Sequence, residues 1–71
     1  MTLVLASYIS TDGLHADIMQ DKYCSSFKLD IYKPYHTEKA TVLSIYRGTY
    51  YTKKTARQAM NRFSKTWTKV K

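Results

Sequence analysis

Residues 48–67, GTYYTKKTARQAMNRFSKTW, decide how the rest of the chain must be read. Gly48 breaks the apolar run before it. Thr52 is a good N-cap, because its hydroxyl accepts a bond from a backbone N–H of the first turn. Ala56, Ala59, Met60, Phe63 and Trp67 then recur at helical spacing. At about 100° per residue they form one stripe about 100° wide, so the spacing predicts a helix over about 53–67 with one buried face. Such a stripe needs an apolar sheet or helix to cover it.

The residues before it read as strands. Leu3-Val4-Leu5-Ala6-Ser7-Tyr8-Ile9 is apolar and β-prone, giving a strand over about 3–10. Thr11-Asp12-Gly13 carries the Asp-Gly hairpin signal. After it Leu14, Ala16 and Ile18 alternate with His15, Asp17 and Met19, as in a half-buried strand over about 14–20. A short helix over Leu14–Asp21 competes, since Leu14 and Ile18 are also four apart. Phe27, Leu29 and Ile31 alternate with Lys28, Asp30 and Tyr32 in a strand over about 26–32, which Pro34 ends. The stretch 34–39 is a polar connection. A last strand over about 40–46 is expected to point Leu43 and Ile45 at the core and Tyr32 and Tyr46 away from the helix. The expected fold is α+β: one small antiparallel sheet of three to four strands, with a single C-terminal amphipathic helix on one face and a basic tail at 68–71.

Seventy-one residues make one small domain. A core of this size supplies only about 3–5 kcal/mol of net stability, which leaves a homodimer open as a source of more. Cys24 is the single cysteine, so no disulfide closes within the chain and a reducing, cytoplasmic setting fits. The start at Met1, with too short an apolar run after it for a leader, fits a complete small gene product. Cys24, His15 and His36 lack the spacing of a metal site, and no Gly-rich phosphate loop occurs. Nothing pairs a nucleophile with a base, and so small a chain has little to hold a rigid catalytic shell. The expectation is a binding protein without metal, cofactor or membrane insertion.

Charge says more about the partner. Residues 1–38 hold three lysines against five acids, a net of −2, whereas residues 39–71 hold nine lysines and arginines and no acid, a net of +9. Such one-sidedness points to an anionic partner. On the expected helix Lys54, Gln58, Asn61 and Lys65 form one row, flanked by Arg57 and Arg62. Cations mixed with amides suit phosphate contacts and hydrogen bonds to bases; the same row also suits an ordinary solvated helix face. Lys53 and Lys54 occupy the first turn, where cations oppose the helix dipole, and an anion bound there reverses that effect. Arg47 sits just before. Seven tyrosines add contact area, and Tyr32 and Tyr46 on the free side of the sheet are expected either to stack on a partner or to pack across strands.

The segment Gly48-Thr49-Tyr50-Tyr51-Thr52-Lys53-Lys54-Thr55-Ala56-Arg57-Gln58-Ala59 resembles the strand-to-helix junction of AP2-type DNA-binding domains, and in general layout the phage integrase arm-binding domains. The resemblance covers about a sixth of the chain. It implies a three-stranded antiparallel sheet packed on one C-terminal helix, with glycine at a sharp exit, threonine as cap and alanines where the helix approaches the sheet. Those families read DNA with arginines and tryptophans on the sheet. Here only Arg47 lies near that surface, so no DNA-reading residue is carried over. Together these observations point to a small non-catalytic accessory or regulatory protein, of the kind viral or mobile-element genes encode. It would bind nucleic acid through Arg47, Lys53, Lys54, Arg57, Gln58, Asn61, Arg62 and Lys65 in its basic C-terminal half. The alternative is a regulator of an acidic protein, using the same cations with the tyrosines as anchors.

Overall fold

The computed structural model describes residues 2–21, 25–34 and 42–71. The expected polar connection at 34–39 except for Pro34, the first two residues of the expected last strand, and the Cys24 and His36 side chains lie outside these residues. Strands β1 (Thr2–Ile9), β2 (His15–Asp21), β3 (Phe27–Pro34) and β4 (Val42–Tyr50) are followed by helix α1 (Lys53–Met60) and a two-residue strand β5 (Thr68–Lys69). They form one antiparallel sheet in the order β4-β3-β2-β1-β5, with α1 packed over β2, β3 and β4. The molecule is thus α+β, with five strands where the sequence predicts three to four.

The hairpin signal is realised locally. Gly13 has φ +86°, a left-handed conformation that glycine adopts without a Cβ penalty. The Ser10 N–H donates to Leu14 O at 2.9 Å and the Leu14 N–H donates to Ser10 Oγ at 3.1 Å, which closes the turn. Residues 15–21 are strand, not helix. Their alternation holds because Ala16 and Ile18 oppose Ile31 and Leu29 on one face. With Ala6, Tyr8, Ala56, Ala59 and Met60 these residues form the buried core, bordered by half-buried Phe27, Tyr46, Tyr50, Phe63 and Trp67. Ala56 and Ala59 bring the helix backbone close to the sheet, as their small side chains allow.

Strand β4 departs from the sequence expectation. Its pairing with β3 shifts between Ile31 and Tyr32, which makes Ile45 an extra residue on the β4 side. Tyr46 pairs with the core residue Ile31 and therefore faces the helix, 5.0 Å from the Phe63 ring, rather than the free side. Leu43, at the far end of the strand, and the unpaired Ile45 are exposed (51% and 42%) rather than core. Gly48 does not break the chain either; it lies inside β4, opposite Leu29. Its role is room. The Tyr46 ring lies across it to reach Tyr50, hydroxyl to hydroxyl at 2.7 Å, and a Cβ at position 48 would sit 2.8 Å from Tyr46 Cζ. An aromatic laid over a strand glycine shields its bare backbone. Gly48→Ala is expected to destabilise the domain by about 1–3 kcal/mol through overpacking. Thermal unfolding checks this, and the same change in a Tyr46→Ala background should cost far less.

The helix is eight residues long and ends at Met60, not Trp67. Its last bonds tighten to i→i−3: the Arg62 N–H donates to Ala59 O and the Phe63 N–H to Met60 O. Bonds from the β1–β2 turn hold residues 64–66 away from a helical path. Ser64 Oγ donates to Asp12 Oδ2 at 2.7 Å, and Thr11 donates to Thr66 Oγ1 from both its hydroxyl and its N–H. Trp67 Nε1–H returns to Met60 O at 2.9 Å, adding a side-chain donor to a carbonyl that already accepts from the Phe63 and Ser64 N–H groups. The chain then lies along β1, where the Val70 N–H donates to Ser7 O. Phe63 and Trp67 still reach the core margin, but as half-buried cover rather than a helical stripe.

Candidate functional site

Two faces of the sheet differ in charge. On the face away from α1, Asp17 and Asp30 stand directly opposite each other on β2 and β3. Like charges so placed repel. Three groups offset this: Ser7 Oγ donates to Asp17 Oδ1 at 2.7 Å, Tyr32 hydrogen-bonds Asp17, and Arg47 Nε lies 3.4 Å from Asp30 Oδ1. His15 stacks beside Tyr32, with ring centroids 5.4 Å apart. Burial raises the Tyr32 phenol above its ordinary value, and the Asp17 charge, its hydrogen bond and Asp30 add to the rise. On this face Lys28 and Arg47 stand beside the two carboxylates in a polar network.

The helix side carries cations. Lys53, Lys54, Gln58, Asn61, Arg62 and Lys65 are exposed, as are Lys69 and Lys71 beyond them. Residues 51–71 hold seven lysines and arginines and no acid. Among the described residues none of these seven forms an ion pair; the Arg47–Asp30 contact on the other face does. Arg57 is half-buried, its guanidinium 4.9 Å over the Tyr8 ring, a cation–π contact that ties the helix to β1.

The helix start is self-capped. Thr52 Oγ1 accepts from the Thr55 N–H at 3.1 Å, while Thr55 Oγ1 accepts from the Thr52 N–H at 3.3 Å. This capping box, with threonine in the place usual for glutamate, uses two donors that an anion would otherwise take. The first turn contains no acid. Lys53 and Lys54 project from this start. Beside it a groove of about 270 Å³ runs between the helix and the end of β4, lined by Tyr50, Thr55, Gln58, Ala59 and Arg62. The Tyr50 phenol is raised by its hydrogen bond with Tyr46 and by burial, against a smaller lowering by Arg62.

Of the residues expected to bind, the structure gathers Lys53, Lys54, Arg57, Gln58, Asn61, Arg62 and Lys65 on the helix side. Because the helix ends at Met60, Lys65 is not on a helical row with Lys54, Gln58 and Asn61. Arg47 and Tyr32 lie on the opposite face, and Tyr46 is turned inward. Sequence reasoning missed the Asp17–Asp30 opposition, which the register of two separate strands creates, and the Arg57–Tyr8 contact. It also passed over Tyr51, 92% exposed just before the cap.

The two raised tyrosines link the stability of the fold to alkaline pH. In the unfolded chain a phenol loses its proton near the ordinary value of about 10, whereas Tyr32 and Tyr50 hold theirs longer when folded. Their contribution is complete below that value and is lost as pH rises through the raised folded values. The melting temperature should therefore fall as pH rises above about 10, through the raised folded values. A Tyr32→Phe/Tyr50→Phe variant should lose less over the same step. No helix among the described residues is long and apolar enough to cross a membrane. No family model matches the chain, and no curated protein or solved structure matches it significantly.

Proposed function

We propose that this chain is a small non-catalytic accessory protein that binds nucleic acid on its helix side. The observation carrying the reading is the separation of charge between layers. Seven cations without an acid occupy residues 51–71, while two carboxylates sit at the centre of the opposite face. A phosphate backbone is attracted to the first surface more strongly than to the second, where Lys28 and Arg47 are offset by the two carboxylates. Exposed amides at Gln58 and Asn61 interleave with the cations and supply hydrogen-bonding groups that phosphate attraction alone does not need.

An acidic protein would meet the same cations, and salt separates the two partners. Nucleic acid releases condensed counterions when its phosphates are neutralised, so log K falls linearly with log salt, by about 0.7–0.9 per phosphate contacted. Fluorescence anisotropy with a labelled oligonucleotide across a salt series tests this. A straight line with a slope of several units supports the reading. No binding at low salt overturns it.

A further inference from the structure

Tyr51 is 92% exposed, more than any other large apolar side chain among the described residues. Its place in the chain makes that exposure unusual. It follows β4 directly and precedes the N-cap Thr52, the position from which an apolar side chain commonly folds over the first turn to meet the fourth helical residue. Here that residue is Ala56, whose methyl is fully buried. The tyrosine ring has nothing to fold onto, so both its faces stand in solvent.

The neighbours of Tyr51 in the chain give the ring a use. Lys53 and Lys54 come just after it, exposed and without a carboxylate partner among the described residues. Tyr50 precedes it and forms one wall of the groove whose other walls include the exposed Gln58 and Arg62. An open aromatic face, an exposed amide and several cations are the elements of single-strand recognition: the ring stacks a base, the amide meets a base edge, and the cations track the phosphates. A duplex has its base faces already stacked and offers nothing to an isolated ring.

We propose that the β4–α1 junction is a binding site for single-stranded nucleic acid in which Tyr51 stacks a base, Gln58 contacts a base edge from the adjoining groove, and Lys53, Lys54 and Arg62 hold the phosphates. This rests on the nucleic-acid reading above and names the form of nucleic acid that the surface fits.

The test compares a labelled single-stranded oligothymidine of about 12 nucleotides with a duplex of the same length, by anisotropy across a salt series. The single strand should bind the more tightly. Tyr51→Ala should weaken single-strand binding about 5- to 150-fold, the range for loss of one stacked base. Its salt slope should stay that of the parent, because no phosphate contact is removed. Tyr51→Phe should bind like the parent. Since the side chain is exposed, the melting curve of Tyr51→Ala should match the parent and exclude a folding defect. Unchanged single-strand affinity in Tyr51→Ala, or a duplex bound as tightly as the single strand, overturns this site while leaving the nucleic-acid reading intact. Failure of both oligonucleotides to bind the parent overturns both, and binding of polyglutamate in their place assigns the surface to an acidic protein.

Discussion

Met60→Ala should leave the domain largely unfolded near physiological temperature. Met60 is fully buried beneath the helix, among the largest side chains with no exposure. Truncating a buried methionine to alanine costs about 2–5 kcal/mol, from lost transfer energy and an incompletely collapsed cavity. A domain of this size holds only about 3–5 kcal/mol in total. The loss is confined to the side chain. The Met60 carbonyl, which accepts from Trp67 Nε1–H and from the Phe63 and Ser64 backbone, keeps its partners in the variant. Met60→Leu conserves volume and should cost less than about 1.5 kcal/mol. Urea unfolding followed by far-UV circular dichroism measures both. Phe63→Ala should be milder than the roughly 3–5 kcal/mol typical of a fully buried phenylalanine, because Phe63 is only half-buried. If Met60→Ala unfolds at the same urea concentration as the parent, the helix does not seat where the structure places it.

The unequal weight of Met60 and Phe63 shows what the sequence made legible. Period-two alternation places β2 and β3 because both strands run without irregularity opposite each other, so each core residue meets a core residue. The helix start is legible because its signal is local: Thr52 and Thr55 bond each other across three residues. The helix end is not. Ala56, Ala59, Met60, Phe63 and Trp67 keep helical spacing to residue 67, yet Asp12 and Thr11, far away near the start of the chain, hold Ser64 and Thr66 out of the helix. No local window contains both partners. The orientation of β4 is lost for a related reason. Tyr46 faces inward because it pairs with the core residue Ile31 on another strand, and nothing in 42–50 marks that register or the unpaired Ile45. Gly48 looks like punctuation until the Tyr46 ring is seen lying over it.

The same contrast applies to the candidate site. Charge asymmetry is visible in composition, and folding keeps it together, because α1 packs on one side of the sheet and the chain after it runs to the sheet edge beside β1. Alternation within each strand does not relate Tyr32 to Tyr46; the pairing of Tyr46 with Ile31, the neighbour of Tyr32, places the two tyrosines on opposite faces. Tyr51 was readable in principle. An aromatic immediately before a threonine cap, with alanine four residues beyond that cap, lacks the partner that would bury it.

Reversing the first-turn charges should separate binding from folding most sharply. Lys53 and Lys54 lie in the helix's first turn, where an exposed cation opposes the dipole by about 0.3–1 kcal/mol. The Thr52–Thr55 capping box stabilises the start despite them. Glutamate at both positions complements the dipole, so the Lys53→Glu/Lys54→Glu variant should melt at or slightly above the parent temperature. Its affinity for an oligonucleotide should fall by about two to three orders of magnitude at low salt, because each reversal replaces an attraction with a repulsion of similar size. The salt slope should shrink by about 1.4 for a single strand, two contacts at about 0.7 each. Stability and binding thus move in opposite directions, which a folding defect cannot produce. Melting curves and anisotropy isotherms on the same preparation read both. Full affinity in the double variant would move the phosphate contacts from the helix start to Lys65, Lys69 and Lys71. Those cations lie beyond the end of the helix, so a Lys65→Glu/Lys69→Glu variant would then carry the loss instead.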